Sequence, residues 1–371
     1  MTADRLVELH RREGQSPWLD NLRRDYLTSG ELSRRIASGI RGLTSNPTIF
    51  QKAIEGSQDY DDQFTHLVRA GGDIVDHYWS LVLDDINGAL DAFAPLYAAS
   101  DGHDGFVSVE VDPTLAHDGP GTLTAARHLH ERVGRGNLMI KIPATVASLP
   151  AIEEMIAEGR SVNVTLIFGL ARYERVIEAY LRGLERRAAS GVDDLSDIAS
   201  VAIFFISRVD TEIDARLDTI GTPAALALRG RAAVAQAQLA YQLFRTAFSG
   251  PRWEALAARG ARVQRPLWAS TSTKNPAYPD TLYVDRLIGP DTVNTLPDAT
   301  IDAFVDHGTV ARTIDLDVDR ATSDWAALGG VGVDVDDVAV LLETQGVASF
   351  QKSFDDLIAA LSVKASALGH T

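Results

Sequence analysis

The 371-residue chain is 45% hydrophobic and 23% charged, the proportions of an ordinary folded protein, which exclude wholesale disorder. Its formal net charge of -16 repels nucleic acid and acidic membrane surfaces. With no cysteine there is no disulfide framework, no thiol nucleophile and no thiolate metal site.

The first fifteen residues, MTADRLVELHRREGQ, are polar with a helical pattern, so no secretory leader is expected. From there short β-type runs alternate with longer helical stretches, the signature of βαβ units and a parallel sheet. Eight such runs are expected, at 17–19, 42–46, 106–111, 138–143, 162–168, 201–206, 266–270 and 292–296. Eight parallel strands predict a closed (β/α)8 TIM barrel, and no GxGxxG follows any of them to favour a dinucleotide fold. Two long helical stretches, around HYWSLVLDDINGALDAF and RGRAAVAQAQLAYQLFRTAF, read as extra helices. The last, VASFQKSFDDLIAALSVKASAL, has apolar residues at helical spacing and is expected to close across the barrel. One domain over 1–371 is the simplest organisation. The longest nearly apolar stretch, 201–206 (VAIFFI), is far short of the ~18 residues of a membrane helix, so a cytoplasmic protein is expected.

Lysine occurs only at Lys52, Lys141, Lys274, Lys352 and Lys364, arginine supplying the rest of the 35 basic residues. Lys141 lies in LMIKIP, a run that reads as a strand buried on both faces. Burial of an amine among apolar walls favours its neutral, nucleophilic form. Such amines attack ketones to give iminium ions, electron sinks for breaking a neighbouring carbon–carbon bond. The residue alone leaves open a structural ion pair. Asp20 in PWLDNL and Glu110 in FVSVEV stand near strand ends, where one barrel rim gathers side chains from successive strands. One carboxylate could take a hydroxyl proton and the other relay protons through water; helix capping or surface exposure is the plain alternative for Asp20. Asn46 in LTSNPTIF, and Asn163 and Thr165 in SVNVTLIF, put polar groups at otherwise apolar strand ends, where each must find a hydrogen-bond partner in a substrate or a turn. His128 and His130 read as solvated helix surface, and Phe350 and Phe354 as core.

TSNPTIF, VSVEVDP, LMIKIPAT, SVNVTLIF, FISRVD and WASTSTKNPAY, in this order, resemble the transaldolase family from about Trp18 to the last barrel unit. The resemblance implies that Lys141 forms a Schiff base, Asp20 is the general acid/base, and Glu110 works through a water oriented by Thr165. It gives Asn46 and Asn163 hydroxyls of a dihydroxyacetone unit to hold. Arg208 would bind the substrate phosphate with the segment around Ser270, where Lys274 is a further candidate. It implies sugar-phosphate substrates of the non-oxidative pentose phosphate pathway, a monomer or homodimer, and no metal or organic cofactor. Two positions depart from the family pattern: Ile203 stands where a serine is usual, and Ser272 where shorter members carry a second arginine. An aldolase of the same superfamily would release the three-carbon unit to water, but those relatives have glutamine and tyrosine where this chain has Glu110 and Phe205. A silent sugar-phosphate-binding barrel is the rival from another class.

Overall fold

The computed structural model describes residues 5–368. Eight strands, β1 (Gln15–Leu19), β2 (Gly42–Thr44), β3 (Phe106–Glu110), β4 (Leu138–Pro143), β5 (Val162–Ile167), β6 (Ser200–Phe205), β7 (Gln264–Ala269) and β8 (Thr292–Leu296), close in sequence order into a parallel barrel. This is the expected (β/α)8 architecture. Nearly every strand residue is buried, because helices cover the outside while side chains fill the inside. That is why the strands read as continuous apolar runs rather than alternating ones.

Strand ends differ from expectation by one or two residues, each for a local reason. β2 stops at Thr44 because Asn46 leaves the ladder to cap the helix Pro47–Glu55, its Oδ1 accepting from the Ile49 amide at 2.9 Å. β7 starts at Gln264, two residues before Pro266. The early start lets Arg265 donate to Ser16 Oγ at 3.0 Å and, with Arg41, grip Asp104, which is 1% exposed. Burial pushes the Asp104 carboxyl up, but the two guanidinium groups outweigh it and hold it below its usual range. This network plugs the N-terminal end of the barrel and leaves chemistry to the other end.

In β5 the register to β6 shifts between Val164 and Ile167, where Leu166 takes φ 61°. A branched residue in the left-handed region stores strain, which is held where the surroundings over-determine it, often beside functional groups. β1 and β2 approach so closely that a Cβ on Gly42 would lie 2.4 Å from the Trp18 ring. Only glycine fits there.

The stretch around residue 80 is the helix Ile74–Ala99 and that around residue 240 the helix Ala232–Ala247. The closing segment is a 34-residue helix, Val335–Leu368, whose buried face carries Val347, Phe350, Phe354, Leu357 and Leu361. Among the described residues no helix is long and apolar enough to cross a membrane.

Candidate active site at the C-terminal mouth

Glu110 on β3, Lys141 on β4 and Asn163 on β5 are direct neighbours in the ladder, Glu110 opposite Lys141 and Lys141 opposite Asn163. In parallel strands paired residues face the same side, so the three project together into the barrel. Lys141 Nζ lies 3.0 Å from Glu110 Oε2 and donates to the Ser45 carbonyl at 3.2 Å. Their side chains are only 3% and 5% exposed. An ion pair this deep gains Coulomb energy at the cost of two desolvations, so it is weak support for stability and stronger support for a chemical role.

Asp20 follows directly on β1, its amide donating to the Leu296 carbonyl at 2.9 Å. Its Oδ1 accepts from Thr44 Oγ1 at 2.8 Å, and Thr44 Oγ1 meets Thr295 Oγ1 at 2.6 Å. The adjacent Asn21 donates to Asp298 at 2.7 Å, fixing the turn. Asp20 caps no helix. Burial raises its carboxyl above the usual range, against the lowering pull of the Lys141 charge and the Thr44 hydroxyl. Burial likewise raises Glu110, opposed by Lys141 and assisted by Asp20. The Lys141 side chain thus lies in the field of two carboxyl groups, both raised by burial, an arrangement able to move protons.

Asn163, fully buried, donates from Nδ2 to Ser108 Oγ at 2.9 Å, while its Oδ1 has no partner. Thr165, opposite Pro143, is equally buried with an unpartnered Oγ1. Buried polar atoms of this kind cost about 1–3 kcal/mol each unless something satisfies them. Both stand on β5, beside the strand that carries Lys141.

Arg208 stands in the first turn of the helix Ile206–Ile220, half-buried, its Cζ 5.2 Å from the centre of the Phe205 ring. It has no carboxylate partner among the described residues, and burial lowers its pKa. The neighbouring Ser207 Oγ is buried without a partner, and the Ser207 amide donates at 3.1 Å to the carbonyl of Ser270, which takes φ 57° after β7. A guanidinium with no carboxylate partner, beside the unpartnered Ser207 hydroxyl, is suited to an anion. Lys274 is exposed and rests on Ser272 Oγ at 2.7 Å, apart from this cluster's buried groups. Ile203, 1% exposed, is core of β6.

The structure also supplies partners that the sequence left unmarked. Thr44, Ser45 and Ser108 touch Asp20, Lys141 and Asn163 respectively. Phe350 is buried core as expected, and its ring centre also lies 5.5 Å from Lys141 Nζ. His128 is exposed as expected, whereas His130 is half-buried and burial lowers its pKa. Among the described residues no group of three His, Cys, Asp or Glu side chains is placed to hold a metal ion.

The family described as Transaldolase/Fructose-6-phosphate aldolase matches residues 17–361. The chain is 52% identical over 351 residues to the transaldolase of Frankia alni, covering 94% of each chain. It is 51% identical over 362 residues to that of Acidothermus cellulolyticus, covering 97% of this chain and 96% of the relative. It is 50% identical over 349 residues to that of Mycolicibacterium smegmatis, covering 94% of each. The chain therefore belongs to the transaldolase/fructose-6-phosphate aldolase family and is a transferase of the transaldolase type.

Proposed function

We propose that the chain transfers a dihydroxyacetone unit from a ketose phosphate such as fructose 6-phosphate to an aldose phosphate, through a Schiff base on Lys141. The observation that carries this reading is the buried amine 3.0 Å from Glu110, in the same field as Asp20. Glu110 takes a proton from Nζ, the neutral amine adds to C2 of the sugar, and loss of water gives the iminium. Asp20 then accepts the C4 hydroxyl proton, the C3–C4 bond breaks, and its electrons flow into the iminium to leave an enamine. An aldehyde phosphate departs; a second one accepts the nucleophilic carbon, Asp20 returns its proton to the new alkoxide, and water releases the longer ketose.

The unsatisfied Asn163 Oδ1 and Thr165 Oγ1 suit a substrate hydroxyl and a proton-relaying water. Asn46 offers its Nδ2, since its Oδ1 is spent on the helix cap. Arg208, with Ser270 behind it, receives the phosphate, and Lys274 reaches it only from the rim. Ile203 offers no hydroxyl, so the donor is held by one contact fewer. The retained Glu110 and Phe205 favour transfer over aldol release. A cytoplasmic place in the non-oxidative pentose phosphate pathway, as one domain acting as a monomer or homodimer without a cofactor, completes the proposal.

The test is transfer itself. With fructose 6-phosphate and erythrose 4-phosphate the wild type should form sedoheptulose 7-phosphate and glyceraldehyde 3-phosphate in equal amounts, and Lys141→Ala should form neither. Transfer by the alanine variant would overturn the Schiff-base assignment.

A further inference from the structure

The enamine on Lys141 has two fates, and this inference rests on the proposed reaction. In transfer its nucleophilic carbon bonds to an aldehyde and the resulting alkoxide takes a proton. In leakage the same carbon takes a proton, water adds to C2 of the regenerated iminium, and the C–N bond breaks to free dihydroxyacetone and the amine. Both fates balance without an oxidant or reductant. Access of water to the adduct decides between them.

Around the amine, Glu110 and the Ser45 carbonyl are polar and would hold a water. An apolar side chain of the C-terminal helix, Phe350, lies beside the amine, its ring centre 5.5 Å from Nζ. The ring is itself 4% exposed and lies 6.4 Å from the Phe205 ring, which stacks on Phe168 at 5.3 Å.

The helix holds Phe350 there by anchors on the same face. One turn earlier is Gly346, where a Cβ would come within 2.9 Å of Leu166 Cδ2. The strained bulge of β5 therefore presents Leu166 to the one helix position without a side chain. One turn later Ser353 Oγ meets Thr48 Oγ1 at 2.8 Å, and Phe354 packs edge-on against Tyr78 at 5.2 Å. Two turns before Phe350, Glu343 pairs with Arg172 at 3.0 Å. Gly346 lies four residues before Phe350, and Ser353 and Phe354 lie three and four after it, which places them along one stripe. Such anchoring fixes the backbone from which the ring projects toward the amine.

We infer that Phe350 is a specificity-determining residue: its ring yields to the incoming sugar and, once the first aldehyde has left, returns over the shorter three-carbon adduct. It thereby withholds water until the acceptor arrives. The ring's place over the free amine is the pose to which it returns.

The experiment compares dihydroxyacetone release from fructose 6-phosphate alone with transfer to erythrose 4-phosphate, and traps the adduct with borohydride in parallel. Phe350→Ala should still form the Lys141 adduct but raise the ratio of release to transfer by about tenfold or more, with Phe350→Leu in between. Leu361→Ala removes a buried apolar side chain from the same helix, beyond the anchors and away from the amine, and should leave that ratio unchanged. A trapped adduct in Phe350→Ala with an unchanged ratio overturns the inference alone, as does an equal rise in Leu361→Ala, which would show that any loosening of the helix suffices. If Phe350→Ala does not fold, the ratio in Phe350→Leu decides on the same terms. No adduct in the wild type overturns the proposed reaction and this inference with it.

Discussion

Glu110 Oε2 and Lys141 Nζ stand 3.0 Å apart on adjacent strands, with the Ser45 carbonyl 3.2 Å from the same amine. The spacing follows from register, since the two residues are direct ladder partners. Asp20, two strands away from Glu110, reaches the same centre because β1 and β2 bring Thr44 beneath it. In the proposed reaction, removing Glu110 takes away the acceptor of the amine proton and removing Asp20 the acceptor of the C4 hydroxyl proton. Glu110→Gln and Asp20→Asn should each lower kcat by about 100- to 10,000-fold, while folded structure, read by circular dichroism, is kept. A variant with near-normal kcat would remove that residue from the proton path.

The pH dependence follows from the direction of the carboxyl shifts. Asp20 must be ionised to accept the hydroxyl proton, and its pKa is raised by burial. The ionised fraction therefore falls as pH drops through a value above the ordinary carboxylate range, and the acidic limb of kcat/KM should lie there. Thr44→Val removes a hydroxyl that pulls this pKa down, so it should move the limb to still higher pH. A limb at the same pH in wild type and variant would place its origin outside Asp20.

Arg208 predicts a split between substrates. Arg208→Ala should lower kcat/KM for phosphorylated sugars by about 10- to 100-fold, the value of a charge-assisted contact, chiefly through KM. Reaction with unphosphorylated fructose should be unchanged. An equal loss on both sugars would show that the guanidinium instead supports Phe205, on which it lies.

Asn46 has two separable jobs. Its Oδ1 caps the helix Pro47–Glu55, so Asn46→Ala should cost about 1 kcal/mol of stability, measured by urea unfolding. Asn46→Asp keeps the cap but loses the Nδ2 donors, so it should keep stability and lose activity. Full activity in the aspartate variant would free Nδ2 from substrate binding.

Asp210, outside the centre, tests the electrostatics of the scaffold. Burial raises its pKa to about 6 despite bonds from the Ala233 amide and the Tyr283 hydroxyl, both at 2.7 Å. A raised acid contributes stability that is complete below its unfolded value and is lost as pH rises through the folded one. Asp210→Asn does not titrate, so its stability relative to wild type should climb between about pH 4 and pH 6.5, by up to about 3 kcal/mol, and then level off. A flat difference across that range would contradict the shift.

The strands were legible, and Glu110, Lys141, Asn163 and Thr165 could be picked out as candidates, because barrel strands are buried on both faces and any polar residue within them stands out. Strand ends were less so. Nothing in PLWAS announces that β7 begins earlier, at Gln264, and takes in Arg265, whose charge is paired with Asp104 from the loop before β3. Nor does VNVTLIF announce a left-handed Leu166, whose side chain lies against Gly346 of a helix 180 residues later. Phe350 was hidden for a related reason. On an amphipathic helix an apolar residue facing the barrel core and one facing its mouth have the same periodicity, and only the fold tells them apart.

The central claim is the covalent bond to Lys141. The direct measurement is to incubate the protein with fructose 6-phosphate, reduce with borohydride, digest and locate the adduct by mass spectrometry. The account predicts a reduced three-carbon adduct on Lys141 alone, absent from Lys141→Ala. An adduct on another lysine, or none in the folded wild type, would contradict it.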